Sequence, residues 1–374
     1  MKFGVMNLFP LAAATSERKV IEEALEEAVV ADELGYDSFW LAEHHFSEYG
    51  ILGNPLLFAA AIAQRTRRIR IGTAVMVIPF YNPLRLAEDA ALVDILSNGR
   101  LMLGCGRGYQ PKELSGFHVD PAESIGLYNE TVDILQLAWT QSNWSYRGKH
   151  FQYEDMTVFP RPVQAELPIL HAAVSPDSFT RLGSQGLRII TSPNFTPLRI
   201  MKNNFEMYGR ALAENGHDPA KFDRPYMQQT WCGPDVAGHR EAAEASLRYY
   251  KMVGKVLPGT QKGYVSYDEA QQAYYAKVKK GIDLLTVEHT MSQGGNFGSV
   301  QQVVDTLGVL KEELGVTHYI CWFRIPSLDR GASLRAMEHF ATHVIPQFRD
   351  DPAPAASAGP VAAPPPTSRV AVTH

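Results

Sequence analysis

Cysteine is scarce in this chain of 374 residues: Cys105, Cys232 and Cys321 are odd in number and far apart. Such a set offers neither a disulfide framework nor the spacing of a zinc site, and all three are expected as small apolar residues in strands. Basic charge is not in excess, since 35 Lys and Arg face 40 Asp and Glu for a net charge of -5. The footprint of a nucleic-acid or anionic-membrane binder is therefore missing. No window approaches the roughly eighteen uninterrupted apolar residues of a membrane span. The opening Met1-Lys2-Phe3-Gly4-Val5-Met6-Asn7-Leu8-Phe9 reads as a strand rather than a signal peptide. The cytoplasm is the expected compartment. At 45% hydrophobic and 20% charged residues, the composition is that of an ordinary globular protein with material for a large core.

Apolar runs and helical patterns alternate along the chain. Strands are expected at Lys2 to Leu8, Ser38 to Ala42, Arg70 to Ile78, Leu101 to Cys105, Pro168 to Val174, Arg188 to Thr191, Tyr226 to Cys232 and His318 to Ile325. Between them lie helices with legible ends: Ser16 before Glu17 to Leu34, Asn54-Pro55 opening a helix to Arg65, Asn82-Pro83 before Leu86 to Leu96, then Ala122 to Trp139, Leu198 to Asn215, His239 to Val253, Ser299 to Leu314 and Ser333 to Phe348. Aromatic-rich Trp144 to Pro162 is expected as an irregular hairpin. Eight β-α units in strict alternation make a (β/α)8 TIM barrel, expected as one domain over residues 1–349. Residues 254–298 form a long insertion with a helix at Tyr267 to Lys280, expected as a lid. The Pro- and Ala-rich stretch 350–374 is expected to be disordered.

In such a barrel the active site lies at the carboxyl ends of the strands. One end stands out: Tyr36-Asp37-Ser38-Phe39-Trp40-Leu41-Ala42 runs straight into Glu43-His44-His45. Alternation puts Trp40, Ala42 and His44 on one side and Phe39 and Leu41 on the other, so His44 is expected to face inward. Histidine suits acid-base work near neutral pH. Other strand-end candidates are Pro79 to Asn82, Arg107 between glycines, Ser175 to Ser178 at a helix start, Pro193-Asn194, and Arg324. Arg107 with the hydroxyls of Ser175 and Ser178 would clasp one phosphate, although each also has a plain reading as an ion pair or a helix cap. Gly104-Cys105-Gly106-Arg107-Gly108 lacks the spacing of a dinucleotide fingerprint.

Four segments in register carry a resemblance: Trp40-Leu41-Ala42-Glu43-His44-His45-Phe46, the Gly72-Thr73-Ala74-Val75 strand, Asn82-Pro83-Leu84-Arg85-Leu86-Ala87-Glu88-Asp89, and Gly99 to Tyr109. Together they resemble the bacterial-luciferase-like flavin-dependent monooxygenases. The resemblance implies reduced FMN delivered by a separate NAD(P)H-dependent flavin reductase, reaction with O2 to a C4a-peroxyflavin, and transfer of one oxygen atom to a small organic substrate. It implies Arg107, Ser175 and Ser178 around the FMN phosphate, and small Ala74 beside the isoalloxazine, where relatives often have a non-proline cis peptide. It assigns His44 acid-base or peroxide-stabilising work, with Glu43 and His45 as orienting neighbours, and together with apolar barrel helices it suggests a homodimer. Some luciferases have a reactive cysteine directly before the arginine; here that position is Gly106. Trp40, Phe46, Phe80 and Tyr81 are expected near the mouth, excluding water.

Three rivals stay open. The same barrel serves deazaflavin F420 hydride transfer in related proteins, some relatives bind flavin without catalysis, and Glu43, His44 and His45 could serve as metal ligands. Adjacent strand histidines diverge and no third ligand pair stands out, so no metal is expected.

Overall fold

The apolar runs become eight parallel strands in the computed structural model, which describes residues 1–11, 15–193, 196–259, 267 and 269–349. They are β1 (Lys2–Asn7), β2 (Ser38–Leu41), β3 (Arg70–Thr73), β4 (Leu101–Gly106), β5 (Ile169–Ala172), β6 (Arg188–Ile190), β7 (Pro225–Cys232) and β8 (His318–Trp322). Consecutive strands pair from β1 through β6, β7 pairs with β8, and β8 returns to β1. Among the described residues no ladder joins β6 to β7. The Met227 N–H donates to the Thr191 carbonyl at 3.1 Å across that seam, so the sheet is an open, curled parallel sheet whose edges meet. The expected tail lies outside the described residues, as do Asn194 and residues 260–266 of the insertion.

The helix ends follow the residues that marked them. Ser16 accepts from the Lys19 N–H, Asn54 from Leu57, and Asn82 from Leu84 and Arg85, each in the first turn where backbone donors lack partners. The hairpin forms as Trp144–Arg147 against Gln152–Met156. Cys105, Cys232 and Cys321 are buried, free thiols in β4, β7 and β8. No helix of the described residues is long and apolar enough to cross a membrane.

The third strand differs from expectation. β3 stops at Thr73, the Ala74–Val75 peptide is cis, and the chain resumes as the short strand Met76–Val77 beside Cys105 and Gly106. Thr73 ends the regular ladder because its hydroxyl takes over: Oγ1 donates to the Gly104 carbonyl and accepts the Gly104 N–H, both at 2.8 Å. A six-residue helix, Pro111–Gly116, also follows β4, which periodicity did not reveal.

Alternation along the strands divides the core. Phe3, Val5, Phe39, Leu41, Ile71 and Leu103 pack outward against helices, while Met6, Trp40, Leu170, Ile190, Met227 and Ile320 fill the barrel interior. Trp40 is fully buried and lies level with Met6 on β1 and Gly72 on β3. A side chain at Gly72 would overlap the Trp40 ring. The indole N–H donates to Ser38 Oγ at 2.7 Å, and that oxygen is 2.8 Å from His318 Nε2. Trp40 is thus bound toward the amino ends of the strands and does not guard the mouth, contrary to expectation.

The other end is covered by helix Val236–Val256 and the insertion. Tyr249 and Tyr250 join the interior cluster, with Tyr275, Ile282 and Leu285 packed beside them. The Tyr267 hydroxyl donates to the Tyr109 carbonyl at 2.8 Å, Tyr250 to Gly294 at 3.1 Å, and Lys251 Nζ to the Ile282 carbonyl at 2.8 Å.

Candidate functional site

The end of β2 separates its three polar residues. Glu43 is buried: Oε2 accepts the Val77 N–H at 2.9 Å, and Oε1 is 2.9 Å from His45 Nε2. One carboxylate oxygen thus holds the backbone after β3 and the other the His45 ring, and burial, then the neighbouring Glu43, pushes the Tyr81 phenol well up. His45 turns among Phe46, Phe80 and Phe117, with the Phe117 ring centroid 4.6 Å away. His44 takes another direction. Its ring meets Tyr49 edge-on at 4.5 Å, and Tyr49 belongs to the interior cluster.

A residue the sequence did not single out completes this corner. Glu113, buried on the helix Pro111–Gly116, places Oε1 at 3.1 Å from His44 Nδ1 and accepts the His45 backbone N–H at 2.9 Å. Gln110 Nε2 is 3.1 Å from the same His44 nitrogen. With hydrogen on Nδ1 the ring donates to Glu113 and keeps Nε2 as its acceptor; with hydrogen on Nε2 the same Nδ1 accepts from the Gln110 amide. Tyr49 extends the corner, its hydroxyl 2.8 Å from that of Tyr249. An acidic residue two positions after a proline was the one sequence signal available for Glu113.

Arg107 follows β4 and is exposed, and among the described residues it has no hydrogen bond or ion pair. Cys105 pairs with His171, so Arg107, two residues on, comes level with Ala173 just before Ser175. Ser175 and Ser178 form a reciprocal capping box: Ser175 Oγ accepts the Ser178 N–H at 3.3 Å, and Ser178 Oγ accepts the Ser175 N–H at 3.1 Å. In this state both hydroxyls serve the helix start. The Ser178 hydroxyl hydrogen goes to the Ser175 carbonyl at 2.6 Å, whereas that of Ser175 has no acceptor among the described residues. Nearby, burial and then Arg181 lower the His171 imidazole to about 4, with Tyr128 Oη 2.6 Å from Nδ1. Ala74 lies half-buried at the interior cluster, one residue beyond β3. Arg324 turns away, ion-paired with Glu23 and Glu27 of the helix Glu17–Glu33. No group of three His, Cys, Asp or Glu among the described residues could hold a metal ion.

Comparison with known proteins gives this geometry its family. The luciferase-like monooxygenase family model matches residues 1–318. The chain belongs to that family. An uncharacterised protein of Sinorhizobium fredii, y4vJ, is 36% identical over 88% of this chain and 92% of its own. The alkanal monooxygenase alpha chain of Aliivibrio fischeri is 31% identical over 85% of this chain and 90% of its own. In fold, the chain is similar to the oxygenating constituent of 3,6-diketocamphane monooxygenase from Pseudomonas putida, solved in complex with FMN. That likeness has a TM-score of 0.76 at 20% identity and covers 93% of this chain and 98% of the other. The β-α alternation expected of a (β/α)8 barrel is present as an open, curled parallel sheet, and its strand ends become the place to seek the chemistry.

Proposed function

We propose that this luciferase-like chain is the oxygenating component of a two-component monooxygenase. It takes reduced FMN from a separate NAD(P)H-dependent flavin reductase and uses O2 to oxygenate a small organic substrate. The observation that carries the reading is Arg107, an unpaired guanidinium at the end of β4 that the β4–β5 register sets beside the Ser-capped helix start. A dianionic phosphate fits that donor set: one fixed cation, the Ser175 hydroxyl, and backbone N–H groups at a helix N-terminus. The family membership and the FMN held by the diketocamphane enzyme support the same group.

When bound, reduced FMN would supply the electrons that activate O2. Arg107, Ser175 and Ser178 would hold the phosphate, and the small side chain of Ala74 would leave room for the ring system at β3. His44 would take or give a proton at Nε2 while Glu113 holds Nδ1–H. Glu43 and His45 would keep the loop that carries His44 in place. Tyr49, Tyr249 and the insertion would exclude water from the reacting atoms. The exposed apolar residues Leu57, Leu92, Ile95 and Leu96, on the packed helices Pro55–Arg65 and Pro83–Ser97, would supply a surface for a second copy.

The test is turnover of a panel of ketones, aldehydes and aromatics with reduced FMN under ¹⁸O2, followed by mass spectrometry. One labelled oxygen atom in the product is the expected outcome. Turnover without oxygen, driven by reduced deazaflavin F420 and not by FMN, would replace this reading.

A further inference from the structure

Two side chains converge on one ring nitrogen of His44 and make opposite demands on it. Glu113 Oε1 and Gln110 Nε2 each lie 3.1 Å from His44 Nδ1. An ionised carboxylate asks for hydrogen on that nitrogen, whereas an amide N–H2 asks for its lone pair. Both residues are buried, where an unmatched donor or acceptor is costly. One nitrogen cannot satisfy the two at once.

Of the three groups only the amide is free to adjust. The His44 ring is wedged: Tyr49 meets it edge-on at 4.5 Å, and a Cβ added at Gly50 would lie 3.2 Å from its Cδ2. Its backbone N–H is spent on the Leu52 carbonyl at 3.1 Å. Glu113 Oε1 is tied by the His45 N–H at 2.9 Å. Gln110 precedes the helix Pro111–Gly116, and its backbone carbonyl accepts the Leu114 N–H at 3.1 Å, but its side chain makes no cap bond. Among the described residues that side chain has no hydrogen bond besides the one to His44. Turning the amide over therefore breaks no other bond and brings Oε1 to where Nε2 stood. A donor is exchanged for an acceptor of the same shape.

We propose that Gln110 is a positioning residue that keeps both neutral forms of His44 available, its Oε1 accepting from Nδ1–H in one and its Nε2 donating to bare Nδ1 in the other. The use of the two forms rests on the proposed monooxygenase reading; their presence does not. With Glu113 as its only partner the ring would hold hydrogen on Nδ1, and it could take a proton at Nε2 but have none to give until it had taken one. With the Gln110 nitrogen turned toward it, the neutral ring carries its hydrogen on Nε2 and gives it directly. Glu113 keeps a donor in either form, because the His45 N–H stays on Oε1. The two forms hold the same number of protons, so exchange between them changes no charge on the ring.

The test is ¹⁵N NMR of the full-length protein labelled at its histidine rings, without flavin, at about pH 8.5, where imidazoles are ordinarily neutral. The His44 signals are those absent from His44→Ala. The wild type should show Nδ1 and Nε2 shifts averaged between the two forms. Gln110→Leu keeps the bulk and removes the donor, and it should move the ratio of forms roughly threefold to twelvefold toward hydrogen on Nδ1, the yield of one hydrogen bond. Gln110→Glu, close to the native shape and an acceptor only, should move it the same way and serves if the leucine variant does not fold. In turnover with reduced FMN, kcat should fall in both variants while KM and FMN affinity stay unchanged. A wild-type ring in one form only, a ratio that neither variant moves, or a shifted ratio with unchanged kcat would each overturn the inference. A ratio that depends on Gln110, in a protein that oxygenates nothing, would instead overturn the assigned reaction and keep the hold of Gln110 on the ring.

Discussion

Glu113 and His44 are joined across 69 residues of sequence, carboxylate Oε1 to imidazole Nδ1 at 3.1 Å, and the same oxygen accepts the His45 N–H. One buried carboxylate thus holds both the ring of the proposed acid-base residue and the path of the chain beside it. His44→Ala is expected to lower oxygenation by roughly 10²- to 10⁴-fold, the usual contribution of a general acid or base, and to leave FMN affinity nearly unchanged. Glu113→Gln should lower turnover while the bond to the His45 N–H survives. Stopped-flow turnover beside a flavin titration separates the two effects, and unchanged turnover in His44→Ala removes that residue from the mechanism.

Arg107→Ala should weaken reduced FMN binding by about 1.5 to 3 kcal/mol, the worth of a charged hydrogen bond. Because Arg107 has no partner among the described residues, little folding stability should be lost with it. Anaerobic titration gives the affinity and thermal denaturation gives the stability. Equal affinity would place the phosphate elsewhere.

Gly72→Ala places a methyl group where the Trp40 ring already lies. Trp40 is held by Ser38 on one side and β1 on the other, so it cannot simply move aside. Overpacking of this kind costs about 1 to 3 kcal/mol, to be read as a lower denaturation midpoint in urea. An unchanged midpoint would mean that the interior relaxes more freely than its packing shows.

Burial lowers the imidazoles of His171 and His318 to about 4, and burial raises the Glu27 carboxyl to about 7. Each histidine stays neutral in the folded chain while the unfolded chain takes up a proton below about pH 6.5. Their stabilisation is full above that pH and falls away as the pH drops to 4. Glu27 has the opposite sign, since its folded form keeps a proton that the unfolded form loses, and stability falls as pH rises from about 4.5 to 7. In the overlap the glutamate offsets part of the histidine effect. Glu27→Gln should therefore steepen the loss of stability between pH 6.5 and 4.5, measured by urea denaturation at each pH. Proton NMR should find both imidazoles titrating near 4.

Much of this was legible in the residues. The strands could be read because a sheet covered on both faces needs continuous apolar runs, and the helix starts because Asn54-Pro55 and Asn82-Pro83 leave few other conformations open. The small residue at Gly72 was visible, but the sequence could not say what it makes room for, and the structure answers Trp40. Glu113 was hidden because its partner is distant in sequence and its helix is too short to show a period. Arg324 looked equivalent to Arg107, both ending strands, yet Glu23 and Glu27 on a neighbouring helix neutralise only the first. Local pattern does not carry such pairings.

The seam between β6 and β7 has a mechanical consequence. A barrel laddered all the way round changes diameter only by breaking several main-chain bonds together. Here the Met227-to-Thr191 bond spans the gap, joined by the Ser192 hydroxyl donating to the Met227 carbonyl at 3.2 Å. The other seven junctions between neighbouring strands are held by main-chain ladders. Parting the sheet at this seam therefore costs fewer main-chain bonds than parting it anywhere else around the ring.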